Sequence, residues 1–287
     1  MINLKYHIIM KLSIFTSFTN PDDRNDPWKE ALACYEDVAD EVITVGQDWP
    51  EEFSWEHIGK TFQKGFDLCT GDWVIRMDID YFFHEKDIFK IKNSLEKFKN
   101  FPAVGFPQYQ FYSPKRYQIK TILVIAFNKK NFPEIKLNGG GDLCQATLDG
   151  ELISAFDIPI INIPIWQYDN TFRTKEIIYF DRGRFARAWF RWFKNWNDRG
   201  GSSNNEAYDA WYLNIVNKFP NHTLKKRLKN HPKYILEKLQ SLQIDQFGYN
   251  CFGLNERFEF KVKNLFNQLK ILLIIKLKII KYKLWNF

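Results

Sequence analysis

Hydrophobic stretches of two kinds alternate along the first 105 residues of the chain. Short apolar runs rich in β-branched and aromatic residues cover 12–18, 41–45 and 73–77, which indicates β-strands. Between them, apolar residues recur at the spacing of one helix face over 28–40 and 53–69. A strand, a helix and a second strand within about 35 residues form a βαβ unit with parallel strands. The pattern therefore predicts a doubly wound α/β half.

The pattern changes beyond residue 105. Residues 109–112 and 119–128 have strand character and are expected to extend the sheet as antiparallel strands. Residues 157–166 form a final apolar strand, and its two prolines indicate a sheet edge or a bulge. Helical spacing predicts four further helices, over 85–100, 174–196, 207–219 and 232–242. The whole pattern predicts a central sheet flanked by helices, with a helical C-terminal part.

The most informative stretch is 70–83, where a Gly-Asp turn precedes the third strand and two acids follow it. Asp78 and Asp80 are separated by one residue, so along a strand they point to the same side. The carboxyl ends of strands in an open α/β sheet are where ligands bind. Two carboxylates there suit Mg²⁺ or Mn²⁺, which take their remaining ligands from water and phosphate. This context predicts a metal–diphosphate site.

The alternative is a pair of turn carboxylates without a ligand. The chain has 19 Asp in 287 residues, so roughly one Asp-x-Asp is expected by chance. The triplet alone therefore predicts nothing, and the prediction depends on the strand before it and the helix after it.

Composition narrows the classes of protein. The net charge is +7, but the 34 acidic residues are interspersed with the 41 basic ones. This excludes the single-sign field of a nucleic-acid binder, so no nucleic-acid partner is expected. The four cysteines are scattered without a C-x-x-C pair, which favours reduced thiols over a zinc site or a disulfide framework.

The last 27 residues, 261–287, contain seven Lys and no acid among many Leu and Ile. As a helix this segment is too charged to span a bilayer, and it is typical of a basic helix on an anionic membrane surface. The alternative is a terminal helix docked on the protein's own core or on a partner. Because the N-terminus has no signal-peptide pattern, we expect a cytoplasmic protein, peripheral on the inner face of a membrane.

The motif set resembles the family 2 type of GT-A glycosyltransferases. The matching features are the first strand, the second strand ending near Asp48, the Phe-Gln-Lys-Gly run at 62–65, the Thr-Gly-Asp-Trp run at 70–73, and Asp78-Ile79-Asp80. The resemblance covers roughly residues 10–180, and its specific part is 70–83.

The resemblance implies a Rossmann-like GT-A fold with a mixed, mostly parallel central sheet flanked by helices. It implies a catalytic domain over 1–200, with a nucleotide-sugar half at about 10–105 and an acceptor half at about 106–200. Residues 201–287 would be a helical C-terminal extension that carries the basic tail 261–287.

The resemblance also implies roles for individual residues. Those expected to bind the nucleotide sugar are Thr16, Ser17, Phe18, Asn20, Asp48, Lys64, Asp78 and Arg173. Asp78 and Asp80 would hold Mn²⁺ or Mg²⁺, and Gln167 stands where many members have a metal-binding His. The metal would neutralise charge on the leaving nucleoside diphosphate. The run 181–187 resembles a segment of related bacterial transferases, and the alternative is a basic helix face exposed to solvent.

An inverting enzyme of this class needs a further carboxylate to deprotonate the acceptor hydroxyl. Asp142, which follows three glycines, is the candidate base, and Asp149 and Glu151 are next. The alternative for Asp142 is an ordinary loop acid.

The expected function is that of a glycosyltransferase of the hexosyltransferase type, as in polysaccharide biosynthesis. It would move a sugar from a UDP- or GDP-sugar to a glycan or a lipid-linked acceptor, with inversion. One rival is a sugar-nucleotidyltransferase, although residues 16–26 lack its Gly-rich basic loop. The other is a catalytically degenerate, glycosyltransferase-like binding protein.

Overall fold

An eight-stranded sheet with helices packed against it forms the centre of the computed structural model, which describes residues 10–138, 144–168, 170–222, 224–242 and 262–284. The strands are β1 (Leu12–Ser17), β2 (Glu41–Val45), β3 (Trp73–Arg76), β4 (Tyr81–Phe82), β5 (Ala103–Ser113), β6 (Arg116–Phe127), β7 (Thr147–Leu148), β8 (Glu151–Leu152), β9 (Ile165–Gln167) and β10 (Leu224–Lys225). The helices are α1 (Trp28–Val38), α2 (Trp55–Leu68), α3 (Ile88–Lys97), α4 (Lys175–Phe193), α5 (Asn204–His222), α6 (Lys233–Gln240) and α7 (Val262–Leu284).

The strand order in the sheet is β2-β1-β3-β6-β5-β9-β4, with β10 paired to β6. Strand β1 is parallel to both β2 and β3, which confirms the predicted doubly wound half. Strand β6 is antiparallel to β3 and to β5, as expected for the added strands. The mixed sheet flanked by helices confirms the α/β class. Beyond the first half, β5 and β9 pair parallel, whereas β3–β6, β5–β6, β6–β10 and β4–β9 pair antiparallel, so the sheet is mixed and not mostly parallel.

Alternation along the strands places apolar residues on both faces of the sheet. In β1, Leu12 and Ile14 belong to one buried cluster and Phe15 belongs to the other. The first cluster includes residues of α1, α3 and α6, and the second includes residues of α2 and α4. Because successive side chains of a strand point to opposite faces, the sheet is covered on both sides.

Two strand predictions needed correction. The apolar run 157–166 is not one continuous strand: Ile165–Gln167 forms β9, whereas Ile160 makes only an isolated parallel bridge to Gly105 of β5. Its two prolines, Pro159 and Pro164, have no N–H to donate, and Pro159 instead accepts a hydrogen bond from Gly105 N at 2.9 Å. Strand β5 begins at Ala103 instead of 109, because a register shift beside Pro107 lets the strand continue through the proline.

The Gly-Asp turn before β3 has a structural role. Glu41 accepts hydrogen bonds from the Ser13 hydroxyl at 2.5 Å and from Thr70 N at 2.7 Å. Burial raises the pKa of Glu41, but these bonds outweigh it and hold the pKa at about 2. Gly71 N donates to the Ser13 hydroxyl at 2.8 Å. The turn therefore ties together the starts of β1, β2 and β3, at the opposite end of β3 from Asp78.

The C-terminal extension is helical, as predicted, and is integrated with the first part. It adds β10 to the sheet, and Ile235 and Leu239 of α6 join the buried cluster beside α1. Lys233 and Tyr234 bind Asp37 of α1 at 2.9 and 2.6 Å. Among the helices that the structure describes, none is long and apolar enough to cross a membrane.

We predict that Gly71→Ala destabilises the protein by about 1–3 kcal/mol, because a Cβ there would lie 2.7 Å from Ser13 N, which is main chain and cannot swing away. Urea unfolding followed by circular dichroism measures the loss. Gly59→Ala in α2 is the matched control, since its Cβ would meet the nearest atom at an ordinary 3.5 Å and the helix gains up to about 1 kcal/mol. Equal stability of Gly71→Ala and the unmodified chain would show that the turn relaxes.

Candidate functional site

The two acids of the sequence motif lie in a tight turn between β3 and β4. Tyr81 N donates to Asp78 O at 2.8 Å, and the Tyr35 hydroxyl of α1 donates to the same carbonyl at 2.6 Å. Asp78 and Asp80 are partly exposed, whereas Ile79 between them is buried. Burial raises the pKa of Tyr35 well above its usual range, so its hydroxyl remains a donor. The two carboxylates therefore lie on the open side of a turn that is fixed from below.

A chain of amides leads from Asp80 into the sheet. Gln167 of β9 donates from its side-chain nitrogen to Asp80 Oδ2 at 3.3 Å, and its Oε1 accepts from Gln108 at 2.5 Å. Tyr168 N also donates to Asp80 O at 3.0 Å. Gln167 thus positions the Asp80 carboxylate in this arrangement. Its amide oxygen already accepts the bond from Gln108, which leaves its second lone pair for another donor or a metal.

A cavity of about 250 Å³ opens beside this turn. Its walls come from the loop after β1, the loop after β2, the first half of α2, and α4. The residues that line it besides the acid pair include Ser17, Thr19, Trp49, Phe53, Trp55, Ile58 and Phe62. The aromatic wall is suited to stacking on a nucleobase, and the hydroxyls of Ser17 and Thr19 can bond to a polar ligand.

Buried ion pairs form the part of the cavity wall that comes from the loop after β1, from Arg173 and from α4. Arg173 donates from Nε to Asp26 Oδ1 at 2.7 Å and from Nη1 to Asp181 Oδ2 at 3.0 Å. Burial lowers the pKa of Arg173, but the charges of Asp26 and Asp181 outweigh this effect and raise the pKa above its ordinary value. Arg24 Nε lies 3.2 Å from Asp181 Oδ2. The pKa of Arg24 is lowered mainly by burial and, to a smaller extent, by the positive charge of Arg173. Arg184 completes the cluster, with Nη2 donating to Pro50 O at 2.9 Å.

The ion-pair cluster explains the positions of two residues. Helix α1 has Pro27 as its N-cap, without a side-chain capping bond, and the side chain of the preceding Asp26 binds Arg173. Arg173 was expected to bind the nucleotide sugar directly. Its guanidinium lies at the cavity wall, yet three of its hydrogen bonds go to Asp26, Asn170 and Asp181. It therefore positions α4 against the loop after β1.

Charge in the smaller cavity is balanced. Its described lining holds four arginines and four aspartates: Arg24, Arg173, Arg182 and Arg184, and Asp26, Asp78, Asp80 and Asp181. If a divalent cation were bound to Asp78 and Asp80, the cavity would carry a net positive charge. This charge would equal in size the negative charge of a diphosphate diester. The donor set of hard oxygens fits Mg²⁺ or Mn²⁺. No group of three or more His, Cys, Asp or Glu is close enough to hold a metal within the described ranges, so water and phosphate would supply the other ligands.

A second, larger cavity of about 600 Å³ adjoins the first. Asp78, Gln167, Arg182 and Phe185 line both. Its floor is a row of buried glutamines from three neighbouring strands, namely Gln108 and Gln110 of β5, Gln118 of β6 and Gln167 of β9. The strand register places Gln110 opposite both Gln118 and Gln167. Helices α4, α5 and α7 close the other sides, with Trp211 and Asn214 of α5 and Gln268 of α7.

The structure brings only part of the predicted site together. Ser17, Asp78, Asp80, Gln167 and Arg173 line the smaller cavity. Thr16 is fully buried in β1. The remaining predicted nucleotide-sugar residues with described side chains lie outside both linings, and they are Phe18, Asn20, Asp48 and Lys64.

Each of these four has a physical reason for its position. Phe18 packs edge-on against Trp28, with ring centroids 5.5 Å apart. Asn20 adopts a positive φ of 46° at the start of the loop after β1. Asp48 is exposed in the turn after β2. Lys64 is exposed on α2, on the side away from Phe62.

The predicted bases fall in different places. Asp149 and Gly150 form the two-residue turn of the β7–β8 hairpin, with φ values of 52° and 84°, and these angles suit an Asp-Gly type I′ turn. Glu151 is exposed on β8, and neither acid lines a cavity. Asp142 lies outside the described residues.

Several site residues escaped the sequence analysis. Arg24 and Trp49 lie in loops without a motif, and Asp198 lies on the short 3₁₀ turn Asn197–Arg199. The glutamine row had a usable signal, since Gln108 and Gln110 alternate with Tyr109 and Phe111 as in a strand with one polar face. That signal was missed because the strand was predicted to start at 109.

No protein-family model matches the chain, and no curated protein matches its sequence. Membership of a glycosyltransferase family therefore stays a prediction, and the function has to be inferred from the two cavities and the acid pair.

We predict that acid weakens the support beneath the acid pair through His231. His231 Nδ1 lies 2.8 Å from the hydroxyl of Tyr168, whose main chain holds Asp80. Burial lowers the pKa of His231 to about 4 from an unfolded value of 6.5. As pH falls from 6.5 towards 4, His231 becomes protonated in the unfolded chain but stays neutral in the folded protein. The free energy of unfolding is therefore highest above pH 6.5 and decreases below it.

The expected cost at pH 4.5 is about 2 kcal/mol relative to pH 7. Urea unfolding at both pH values should show that this part of the loss disappears in His231→Gln, whose amide can still hydrogen-bond to the Tyr168 hydroxyl but does not titrate. An unchanged loss in the variant would exclude His231 as its source.

Proposed function

We propose that the protein is a metal-dependent glycosyltransferase with a GT-A-like arrangement, and that it transfers a sugar from a nucleoside-diphosphate donor. The observation that carries the proposal is the position of Asp78, which lines both cavities at their junction. A transferase needs two binding sites that meet at the reacting carbon. A metal-binding acid pair at that meeting point is what such a reaction requires.

The smaller cavity is the proposed donor site. Its aromatic wall, including Trp49 and Phe53, would hold the base, and Ser17 and Thr19 would contact the nucleoside. Asp78 and Asp80 would hold Mn²⁺ or Mg²⁺ against the diphosphate. When bound, the metal supplies Lewis-acid stabilisation of the leaving nucleoside diphosphate.

The arginines of the donor site would stabilise the same leaving group. Arg182 lies at the junction of the cavities and stacks over Trp211, with 5.4 Å between the guanidinium carbon and the ring centroid. Its charge is therefore held beside the place where negative charge develops. Arg173 contributes indirectly, because its bonds to Asp26 and Asp181 fix the wall that carries Arg182 and Arg184. Positioned cations of this kind lower the barrier because they need no reorganisation during the reaction.

The larger cavity is the proposed acceptor site. Side-chain amides offer both donors and acceptors without a charge, and they match the hydroxyls of a saccharide. Trp211 offers an apolar ring surface on which a sugar can rest. Inversion would require a general base beside the acceptor cavity. Asp142 remains the proposed base. The alternative is Asp198, whose carboxylate lies in the lining of this cavity.

We predict that Mn²⁺ together with one nucleoside diphosphate raises the thermal unfolding midpoint by about 5 °C at a ligand concentration near 100 times Kd. The rise should vanish with EDTA and in Asp80→Asn, because the Asp80 carboxylate would help to hold the metal on which nucleotide binding would depend. Differential scanning fluorimetry with UDP, GDP, CDP and ADP measures it and identifies the donor class.

Asp149→Asn is the matched control for Asp80→Asn, since it makes the same chemical change at an exposed turn that tolerates Asn. It should keep the full midpoint rise. A folded protein whose midpoint no nucleoside diphosphate moves would overturn the donor site. Metal-dependent binding without turnover would instead support a binding protein of the same architecture.

We predict that Asp142→Asn lowers the rate of sugar transfer by about 10²–10⁴-fold while nucleotide binding persists, because only the proton acceptor is removed. Release of the nucleoside diphosphate from the donor identified above measures the rate. Asp198→Asn is the comparison. A large loss in Asp198→Asn with little change in Asp142→Asn would assign the base to Asp198.

A further inference from the structure

Helix α7 is attached to the protein by one face. Gln268 is almost completely buried, and its Oε1 accepts a hydrogen bond from Ile119 N of β6 at 3.0 Å. Ile275 is also buried, and Ile271, Leu272 and Ile279 pack against the same buried cluster. The docked-helix alternative for the basic tail is thus observed for this face.

The opposite face of α7 carries an outer stripe of apolar side chains exposed to solvent. The stripe consists of Phe266, Leu269, Leu273, Leu277 and Ile280, which are between 49% and 67% exposed. They recur at i, i+3, i+7, i+11 and i+14, so they form one row about 20 Å long. A contiguous apolar row of this length marks an interaction surface.

The charges around the outer stripe indicate what kind of partner binds to it. Lys270 and Lys276 are exposed, and helical geometry places them on opposite flanks of the row. Residues 261–287 contain no acid at all. Lysine is depleted in protein–protein interfaces, whereas an apolar row between lysines is typical of helices that lie in the headgroup region of a bilayer. The lysine stems can extend from the apolar face towards anionic headgroups.

The same helix lines the proposed acceptor cavity. Gln268 and Ile271 belong to the cavity lining and lie on the side of α7 away from the outer stripe. A helix that sinks its apolar face about 5–10 Å into the headgroup boundary would therefore hold the cavity close to the bilayer surface. A saccharide carried by a membrane lipid could reach the glutamine row from there.

We propose that α7 binds an anionic bilayer through the outer stripe, and that the acceptor is the saccharide headgroup of a membrane lipid. The choice of acceptor rests on the glycosyltransferase function proposed above, whereas the bilayer contact stands on the helix itself.

Vesicle co-sedimentation of the full chain tests the bilayer contact. Neutral phosphatidylcholine vesicles are compared with vesicles that contain about one third phosphatidylglycerol, whose charge attracts lysines. We expect binding to the anionic vesicles at least about tenfold tighter than to the neutral ones, because basic residues beside the surface each add to the attraction. The double variant Leu273→Glu/Leu277→Glu should lose it and retain the unfolding midpoint, since both side chains point to solvent.

The matched control is Phe89→Glu/Phe156→Glu, which makes the same kind of change at two residues that are 68% and 73% exposed elsewhere on the surface. It should bind vesicles like the unmodified chain. Unchanged binding of the Leu273/Leu277 variant, or equal loss in the control, would overturn the proposal. A dimer seen by light scattering and abolished in the Leu273/Leu277 variant would assign the stripe to a second copy and overturn it as well.

Two readouts separate this inference from the glycosyltransferase proposal. The midpoint rise with Mn²⁺ and nucleoside diphosphate is measured on the same samples without vesicles. A rise without vesicle binding would overturn the membrane inference alone, and vesicle binding without a rise would overturn the transferase alone. With both present, labelled donor sugar should transfer to lipid-extractable material in anionic vesicles doped with total polar lipids. Label confined to water-soluble glycans would overturn the lipid acceptor.

Discussion

The turn from Asp78 to Tyr81 is held from two directions, and both proposed binding sites depend on it. From below, the buried Tyr35 hydroxyl bonds to the carbonyls of Asp78 and Tyr81, at 2.6 and 3.0 Å. From the side, the main chain of Tyr168 bonds to the carbonyl of Asp80. The hydrogen bonds from Tyr35 come from α1, between the parallel strands β1 and β2. The hydrogen bond from Tyr168 comes from the residue after β9, in the second half of the sheet. The acid pair can therefore keep its geometry only while both halves stay packed together.

The ion pairs around Arg173 add a second constraint at a considerable cost. Buried charges lose their hydration, and a pair recovers this loss only when its geometry is good. Arg173, Asp26 and Asp181 meet that condition with several bonds of 2.6–3.1 Å. Hydrophobic residues could have joined the same elements at less cost. A network of arginines in the same cavity as the carboxylates of Asp78 and Asp80 is easier to explain as a prearranged site for a charged ligand.

The sequence was informative where the deciding interactions were local. Period-two and period-3.6 patterns predicted β1 to β3 and the helices between them, and one residue of spacing predicted that Asp78 and Asp80 share a side. The ion-pair network could not be predicted in this way, because Asp26 and Arg173 are 147 positions apart and neither lies in a motif. The position of Lys64 in the Phe-Gln-Lys-Gly run could not show which side of α2 it occupies, and Lys64 lies outside both cavity linings. For the basic tail, one face of α7 packs on the protein and the other face is exposed to solvent. The composition of the tail could not predict this, because a count of residues does not distinguish the faces of a helix.

The two cavities also divide their chemistry in a way that bears on the reaction. The smaller cavity is lined by four arginines and four aspartates, whose formal charges balance. The floor of the larger cavity consists of four uncharged glutamines, and charged residues such as Lys120, Asp198 and Arg199 belong to the rest of its lining. A carboxylate on that floor would compete with Asp78 and Asp80 for the metal, and a lysine would compete with the metal for the diphosphate. Amides avoid both conflicts while still offering hydrogen bonds to an acceptor. Under the proposed function, this separation would let one turn serve a charged donor and a neutral saccharide at the same time.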